Sequence, residues 1–442
     1  MKRRLQWSSS MPDIIPFIPL GIIGIITWSL WGVRRLYGAN YRPFQGNYTA
    51  TTSVVVPVYM EDPEVLLGAI RSYLANNAGE VVLVVDSADT VNIENIQKNF
   101  PFAKYPKVKL IITDEPGKRP ALAWGIREAT GEIVVLSDSD TTWDKNLLEE
   151  ILKPFDDPEV GGVGAKQNVQ DFQRSIIWRI ENWLLDLRYI DFVPGMSVDG
   201  VVNCLSGRTA AYRRSLLLPL LPELTGETFL GKVCVGGDDL RLTHLLLSRG
   251  YKTVYQSTAQ ARTVYSGRLS NFVRRKVRWS RNSYRGNLRA FWQGWAWRRG
   301  WILPVSMFHA TITPYTLAIG ALATVYFALT RPGAETTIFG IAFNLPLLWL
   351  VVSIGGRSFK GLSHLRRVPR DVSLAIIMTF LMLFVMVPVK IFSLATMNRQ
   401  GWVGTRNAPR PHPQDGASEA ERSVLDRIRL RRISFHPNHL DD

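Results

Sequence analysis

The sequence predicts an α/β protein in which a doubly wound, mostly parallel sheet forms a cytoplasmic domain inserted between transmembrane helices. Three observations carry this expectation. Short β-branched runs at residues 53–58, 81–85, 108–112 and 133–136 are almost continuously apolar, as strands buried on both faces are. Helical stretches alternate with them, one over 63–76 opening on Pro63 and one over 119–129 ending ahead of Gly131. Long uncharged runs lie on either side of this region.

Taken in order, the first uncharged run covers residues 14–33 and is stopped by Arg34 and Arg35. Roughly twenty apolar positions suffice to cross a bilayer as helix. A cleaved leader is the rival reading, but no small-residue cleavage site follows the run. Three more apolar stretches follow the globular part, at 301–330, 336–356 and 372–389. Arg357, Lys360, Arg366, Arg367 and Arg370 between the last two mark a segment that stays inside the cell. A cytoplasmic globular part and a cytoplasmic tail need an even number of crossings between them. Pro304, Pro314 and Pro388 therefore suggest that one stretch is broken or interfacial. The expected organisation is an amino-terminal span within 1–45, a globular domain over 46–265 and basic interfacial helices over 266–300. Membrane helices over 301–397 and a cytoplasmic tail over 398–442 complete it.

The net charge of +16 calls for an anionic partner. Its placement answers which one. Arg274, Arg275, Lys276, Arg278, Arg281, Arg285, Arg289, Arg298 and Arg299 directly precede an apolar run, so the expected partner is membrane lipid and not nucleic acid. The two cysteines, Cys204 and Cys234, exclude a disulfide framework and a C-x-x-C metal site. Neither a dinucleotide fingerprint nor a P-loop is present; the Gly161-Gly162-Val163-Gly164 run lacks the lysine–hydroxyl pair and reads as a turn.

In a sheet of this kind ligands bind beyond the carboxyl ends of the strands. Those ends carry Tyr59 and Glu61, then Asp86, then Asp138-Ser139-Asp140. Two carboxylates one residue apart suit a hard divalent cation, Mg2+ or Mn2+, that bridges a diphosphate. Asp86 is expected to hold a nucleotide base or ribose, and Lys118 and Arg119, opening a helix, to lie near phosphates. Asp238-Asp239, after Gly236-Gly237, can be a helix cap or can supply the general base for an in-line transfer. Arg278-Trp279 sits in a basic, aromatic stretch, where a guanidinium would bind the diphosphate and an indole would stack on a sugar.

The order Asp86, Asp138-Ser139-Asp140, Gly237-Asp238-Asp239, Arg278-Trp279 resembles the processive family-2 glycosyltransferases: hyaluronan, chitin and cellulose synthases and the nodulation chitooligosaccharide synthase. The likeness is strongest to hyaluronan synthases, through Ser206-Gly207, Ala211-Tyr212-Arg213-Arg214, Thr228-Phe229-Leu230-Gly231 and residues 253–259. It continues in Arg278-Trp279-Ser280, in residues 390–394, and in Trp402, Gly404, Thr405 and Arg406. The resemblance implies a GT-A fold, a UDP-sugar donor, Mg2+ or Mn2+, a growing β-linked polysaccharide as acceptor and secretion through the protein's own channel. It implies that Asp138 and Asp140 serve UDP and metal, that Asp239, beside Asp238, is the base, and that Arg278 and Trp279 act at the diphosphate and acceptor. Trp402, Thr405 and Arg406 resemble a segment that closes over bound UDP.

Four features depart from the pattern. Arg275 stands where the family's Gln-x-x-Arg-Trp has glutamine, and Arg208 where hyaluronan synthases have proline. Val403 interrupts the Trp-Gly-Thr-Arg run, and a single amino-terminal span is more like the nodulation enzyme. These changes bear on the product more than on the reaction. A synthase using one donor for a chitin- or glucan-like product, and a non-catalytic scaffold for polysaccharide export, are the alternatives.

Overall fold

The computed structural model describes residues 22–330, 335–338 and 341–400. Its centre is an eight-stranded mixed sheet. The strands are β1 (Thr52–Val58), β2 (Glu80–Asp86), β3 (Val108–Thr113), β4 (Ile133–Ser137), β5 (Thr141–Trp143), β6 (Val160–Val169), β7 (Thr209–Arg213) and β8 (Lys252–Thr263), in the order β3-β2-β1-β4-β7-β6-β8-β5. The first four are mutually parallel, as the apolar runs predict. Beyond β4 the sheet is mixed: β7 runs antiparallel to both β4 and β6, while β8 is parallel to β6.

Both faces of this sheet are covered. Val55 of β1 enters one core, with Val82, Val84, Leu122 and Ile126, whereas Val54 and Val56 enter the other, with Leu66, Ile70 and Tyr73. That alternation is the pleat at work. It explains why the strand sequences are almost continuously apolar. The helices on these faces include α2 (Pro63–Ala75), α3 (Thr90–Asn99) and α4 (Lys118–Glu128), whereas α1 (Ile22–Gly38) packs on other helices, among them Ile302–Thr330. Helix α4 lies so close to β1 that a Cβ at Gly125 would overlap Val55 Cγ1 and come within 3.1 Å of Val84 Cγ2. Only glycine permits that approach.

The Gly161-Gly162-Val163-Gly164 run is not the expected turn but the interior of β6. A Cβ at Gly162 would stand 2.7 Å from Leu205 Cδ1 and 3.0 Å from Tyr212 Cδ1, so the glycines make room for neighbours packed over the strand.

Two further elements bridge the sheet to the carboxyl-terminal helices: α5 (Ile176–Asp186) and α6 (Asp238–Ser248), followed by the 24-residue α7 (Leu269–Trp292). Trp183 and Ile180 of α5 pack with Phe272 of α7 and with Leu374, Ala375 and Met378. A buried polar knot reinforces this seam. His364 lies between Asp186 at 2.8 Å and Asp371 at 2.9 Å, its ring stacked on Trp183, and Arg179 reaches Asp371 at 2.5 Å.

Among the described residues, two helical segments are long and apolar enough to cross a membrane: α8 (Ile302–Thr330, 29 residues) and Pro369–Ala395 (27 residues). The expected stretch at 336–356 is divided instead. Glu335–Ile338 pairs antiparallel with Ile341–Asn344, and the helix that follows, Leu345–Lys360, has 16 residues. That helix covers about 24 Å, short of a hydrocarbon core of about 30 Å. Of the amino-terminal run, residues 14–21 lie outside the described ones.

Candidate active site

The carboxyl ends of the parallel strands converge on one edge of the sheet. Tyr59 and Glu61 leave β1 there, Asp86 closes β2, and Asp138-Ser139-Asp140 connects β4 to β5. The last turn is held by a residue with no sequence signal of its own. Tyr73, on the buried face of α2, brings its hydroxyl to Ser137 Oγ at 3.0 Å and donates towards Asp138 O at 3.1 Å and Thr141 O at 2.7 Å. Ser139 Oγ donates to Glu61 Oε2 at 3.1 Å, tying the β1 edge to the β4 edge. Asp86, two strands from β4, accepts from Ala88 N at 3.0 Å.

Lys118, at the start of α4, joins the two acidic motifs. Its Nζ lies 2.5 Å from Asp138 Oδ1 and 3.3 Å from Asp238 Oδ2. Burial opposes its charge, but Asp138 and Asp238 outweigh burial and raise the ammonium above its ordinary range. Asp238 and Asp239 open α6 after Gly237, which adopts φ 80° as glycine readily does. Asp239 accepts from Leu240 N at 2.8 Å and Gly207 N at 3.3 Å.

The environment separates these two carboxylates. Burial pushes Asp238 up, yet Lys118 and Arg119 pull it down further, so it sits below its ordinary range. Burial and the adjacent Asp238 charge raise Asp239. Asp239 is therefore the member with the greater proton affinity, which suits a general base. Asp140 is pushed up to about 6 by burial, then by Asp138 and Glu61.

Arg119 does not share the direction of Lys118. One residue further along α4 it is rotated by about 100°. It lies 3% exposed, with its guanidinium donating to Leu224 O at 2.9 Å, Glu227 Oε2 at 2.5 Å and Gly236 O at 2.8 Å. Instead of facing Asp138, where a phosphate was expected, it braces the turn ahead of Asp238. Glu227, which also pairs with Arg241 and Arg289, is the centre of that brace.

The opposite wall is α7. Burial pulls the Arg278 guanidinium below its usual range against the attraction of Asp138, Asp238 and Asp239, which places Arg278 within electrostatic reach of all three. It lines a cavity of about 210 Å3 together with Arg281, Asn282, Arg285, Phe392 and Arg399. The Trp279 ring has Lys276 Nζ at 4.8 Å, with the Arg208 and Arg275 guanidinium carbons at 5.4 Å and 5.6 Å. Arg275 and Lys276 are both held by the buried Glu181, Lys276 at 3.0 Å. Trp402, Thr405 and Arg406 lie outside the described residues.

The donor set fits a hard divalent cation. Crowded carboxylates that raise Asp140 are relieved by a positive ion, and Asp138 and Asp140 offer oxygen ligands. Among the described residues no three His, Cys, Asp or Glu side chains form a ready-made cage. The protein would therefore supply few ligands and a diphosphate the others.

A sheet edge bearing paired aspartates, faced by a cationic helix, defines a glycosyltransferase of GT-A type. Residues 50–282 match the family described as "Glycosyltransferase like family 2", and the chain belongs to that family. A hyaluronan synthase from Streptococcus pyogenes is 26% identical over 402 residues, covering 88% of this chain and 91% of the relative. An N-acetylglucosaminyltransferase from a Rhizobium species is 29% identical over 373 residues, covering 82% of this chain and 78% of the relative. The fold is similar to that of a mannosyltransferase from Pyrobaculum calidifontis in complex with GDP-Man and Mn2+. That likeness has a TM-score of 0.56 at 18% identity and covers 84% of this chain and 99% of the other.

Proposed function

We propose that this chain is a processive, inverting glycosyltransferase of the membrane, which polymerises sugars from UDP-sugar donors into a β-linked polysaccharide on the cytoplasmic face. The observation that carries the reading is the Asp238–Asp239 pair joined through Lys118 to Asp138, with Arg278 opposite. Asp239 takes the proton of the acceptor hydroxyl as that oxygen bonds to the anomeric carbon. The bond from that carbon to the diphosphate breaks on the far side, and the electron pair leaves with UDP. Lys118 and Arg278 stabilise the charge that gathers on the leaving group. A divalent cation, Mg2+ or Mn2+, held by Asp138 and Asp140 would neutralise the same diphosphate. Asp86, Tyr59 and Glu61 line the nucleotide end and Trp279 stacks on the acceptor sugar. Trp402, Thr405 and Arg406, outside the described residues, are assigned to UDP binding on the resemblance alone.

The hyaluronan-like product, made from two donors, is favoured by the relative that matches most of this chain. We assign the organisation as the sequence suggests it: a catalytic domain over 46–265, interfacial helices over 266–300 and a membrane region over 301–397 through which the polymer leaves. Among the described residues, two apolar segments after the catalytic domain are long enough to cross a membrane, which supports the membrane reading. A single-donor synthase is the second reading, favoured by the rhizobial relative.

UDP release by the purified protein in detergent with Mg2+ or Mn2+ tests these readings. UDP-GlcNAc, UDP-GlcA and UDP-Glc are supplied singly and in pairs. Release from UDP-GlcNAc plus UDP-GlcA above the single-donor sum supports the copolymer; full release from one donor supports the homopolymer. No release from any donor overturns the enzyme reading.

A further inference from the structure

The surroundings of Trp279 hold more positive charge than stacking on a neutral sugar needs. Arg208, Arg275 and Lys276 all lie over its ring, and Glu181 is the carboxylate that pairs with two of them. Arg208 is the third. Its guanidinium carbon sits 4.6 Å from the Tyr265 ring centroid and 5.4 Å from that of Trp279, held between two aromatic faces. Among the described residues its guanidinium donates to no protein acceptor. Tyr265 Oη and Arg275 Nε, both buried, likewise find no hydrogen-bond partner there. Two buried polar atoms and a half-buried guanidinium with no protein acceptor can take an acceptor-rich group.

The backbone fixes where that group would lie. Gly207 N donates to Asp239 Oδ2 at 3.3 Å, and Arg208 O accepts from Asp138 N at 3.3 Å and from Ser137 Oγ at 2.9 Å. Residue 208 is thus anchored between the proposed base and the paired aspartates, and its side chain extends from them to the aromatic platform. An anionic sugar brought near that many carboxylates meets repulsion unless a cation lies between. Arg208, whose carbonyl accepts from Asp138 N and whose neighbour Gly207 donates to Asp239, occupies that position.

We infer that Arg208 is a specificity-determining residue, which with Tyr265 and Arg275 receives the carboxylate of a uronic-acid unit whose ring stacks on Trp279. The inference rests on the polymerase reading and adds to it the class of sugar taken at the platform. A planar guanidinium takes a carboxylate through two parallel hydrogen bonds, and a neutral hexose lacks the second oxygen and the charge.

The test compares short oligosaccharides that end in glucuronate with counterparts that end in glucose, using the full chain in detergent. Binding is followed by calorimetry without donor, and transfer by UDP release with one donor. The wild-type protein is expected to favour the glucuronate end, and Arg208→Ala to lower the glucuronate-to-glucose ratio by about 100-fold. Arg208→Lys, which keeps the charge and loses the fork, should retain part of the preference. Equal wild-type binding of the two oligosaccharides overturns the inference, as does an unchanged ratio in a folded Arg208→Ala or Arg208→Gln protein. Absence of UDP release from every donor overturns the polymerase reading instead, and the binding ratio then decides the carboxylate site alone.

Discussion

The sheet edge and the helix α7 facing it are charged in opposite senses and built by different means. At the edge Lys118 pairs with Asp138, placed by the end of a parallel strand, and with Asp238, placed by the start of α6, with Asp140 and Asp239 beside them in sequence. On α7, Arg275 and Lys276 pair with Glu181, Arg281 donates to Thr396 Oγ1 and Arg285 to Met397 O, with Arg278 on the same helix. All are placed by the packing of that helix on α5 and the carboxyl-terminal helices. One side has anions to neutralise and the other cations. A metal ion with a diphosphate would satisfy both at once.

Removing the base strikes the acidic side hardest. Asp239→Asn should lower transfer by about 100- to 10,000-fold while UDP binding, read by calorimetry, persists. Retained turnover would sink the base assignment. On the cationic side, Glu181→Ala leaves Arg275 and Lys276 buried together without their carboxylate. A loss of about 3–5 kcal/mol in urea unfolding is expected, and Arg275→Met in the same chain should recover part of it. No change in the midpoint would mean that the platform does not depend on that pair.

Lys118→Met tests the link between the two acidic motifs. A rise in KM for the nucleotide sugar of about 10- to 100-fold, larger than the fall in kcat, is expected if the lysine meets the diphosphate before reaction. The smallest effect is a control far from the edge. Glu80, at the amino end of β2, is held down to about 2: burial opposes its charge, but Lys109, Ser53 and Thr130 outweigh burial. A depressed carboxylate stabilises the fold above its ordinary value and ceases to as pH falls through the folded one. Glu80→Gln should therefore cost about 2–3 kcal/mol at neutral pH, and the difference should vanish as pH falls from about 4.5 to 2. Its kcat should match the wild-type value when assayed folded; a large loss would mean that the chemistry depends on the distant end of the sheet.

What could be read in the sequence follows from what each residue depends on. The four parallel strands are legible because burial makes nearly every position apolar, fully so in the middle of β1, β2 and β4. Asp86 and Asp138-Ser139-Asp140 are legible because strand ends share an edge whatever the loops do. Partners chosen in space are not legible. Nothing in α2 singles out Tyr73 as the anchor of the Asp138 turn, and nothing near Glu181 points to Arg275 almost a hundred residues later. Arg119 was read with Lys118 because they adjoin, but helical rotation separates what sequence joins. The glycines of β6 resemble a turn until Leu205 and Tyr212 are seen lying over them. The apolar stretch at 336–356 is broken by strand pairing, which hydropathy does not report.

The contact of Gly125 with β1 reaches further than packing. Lys118 sits seven residues before it, about 10 Å up the same rigid helix. Any side chain at 125 must lift α4 from Val55 and Val84, and the lysine then leaves its two aspartates. In a random mutagenesis screen scored by polymer output, Gly125 would therefore rank among the reacting residues, although it touches no ligand. Its signature would be a Lys118-like defect that reverts when the facing valine is trimmed, so suppressors should cluster at Val55.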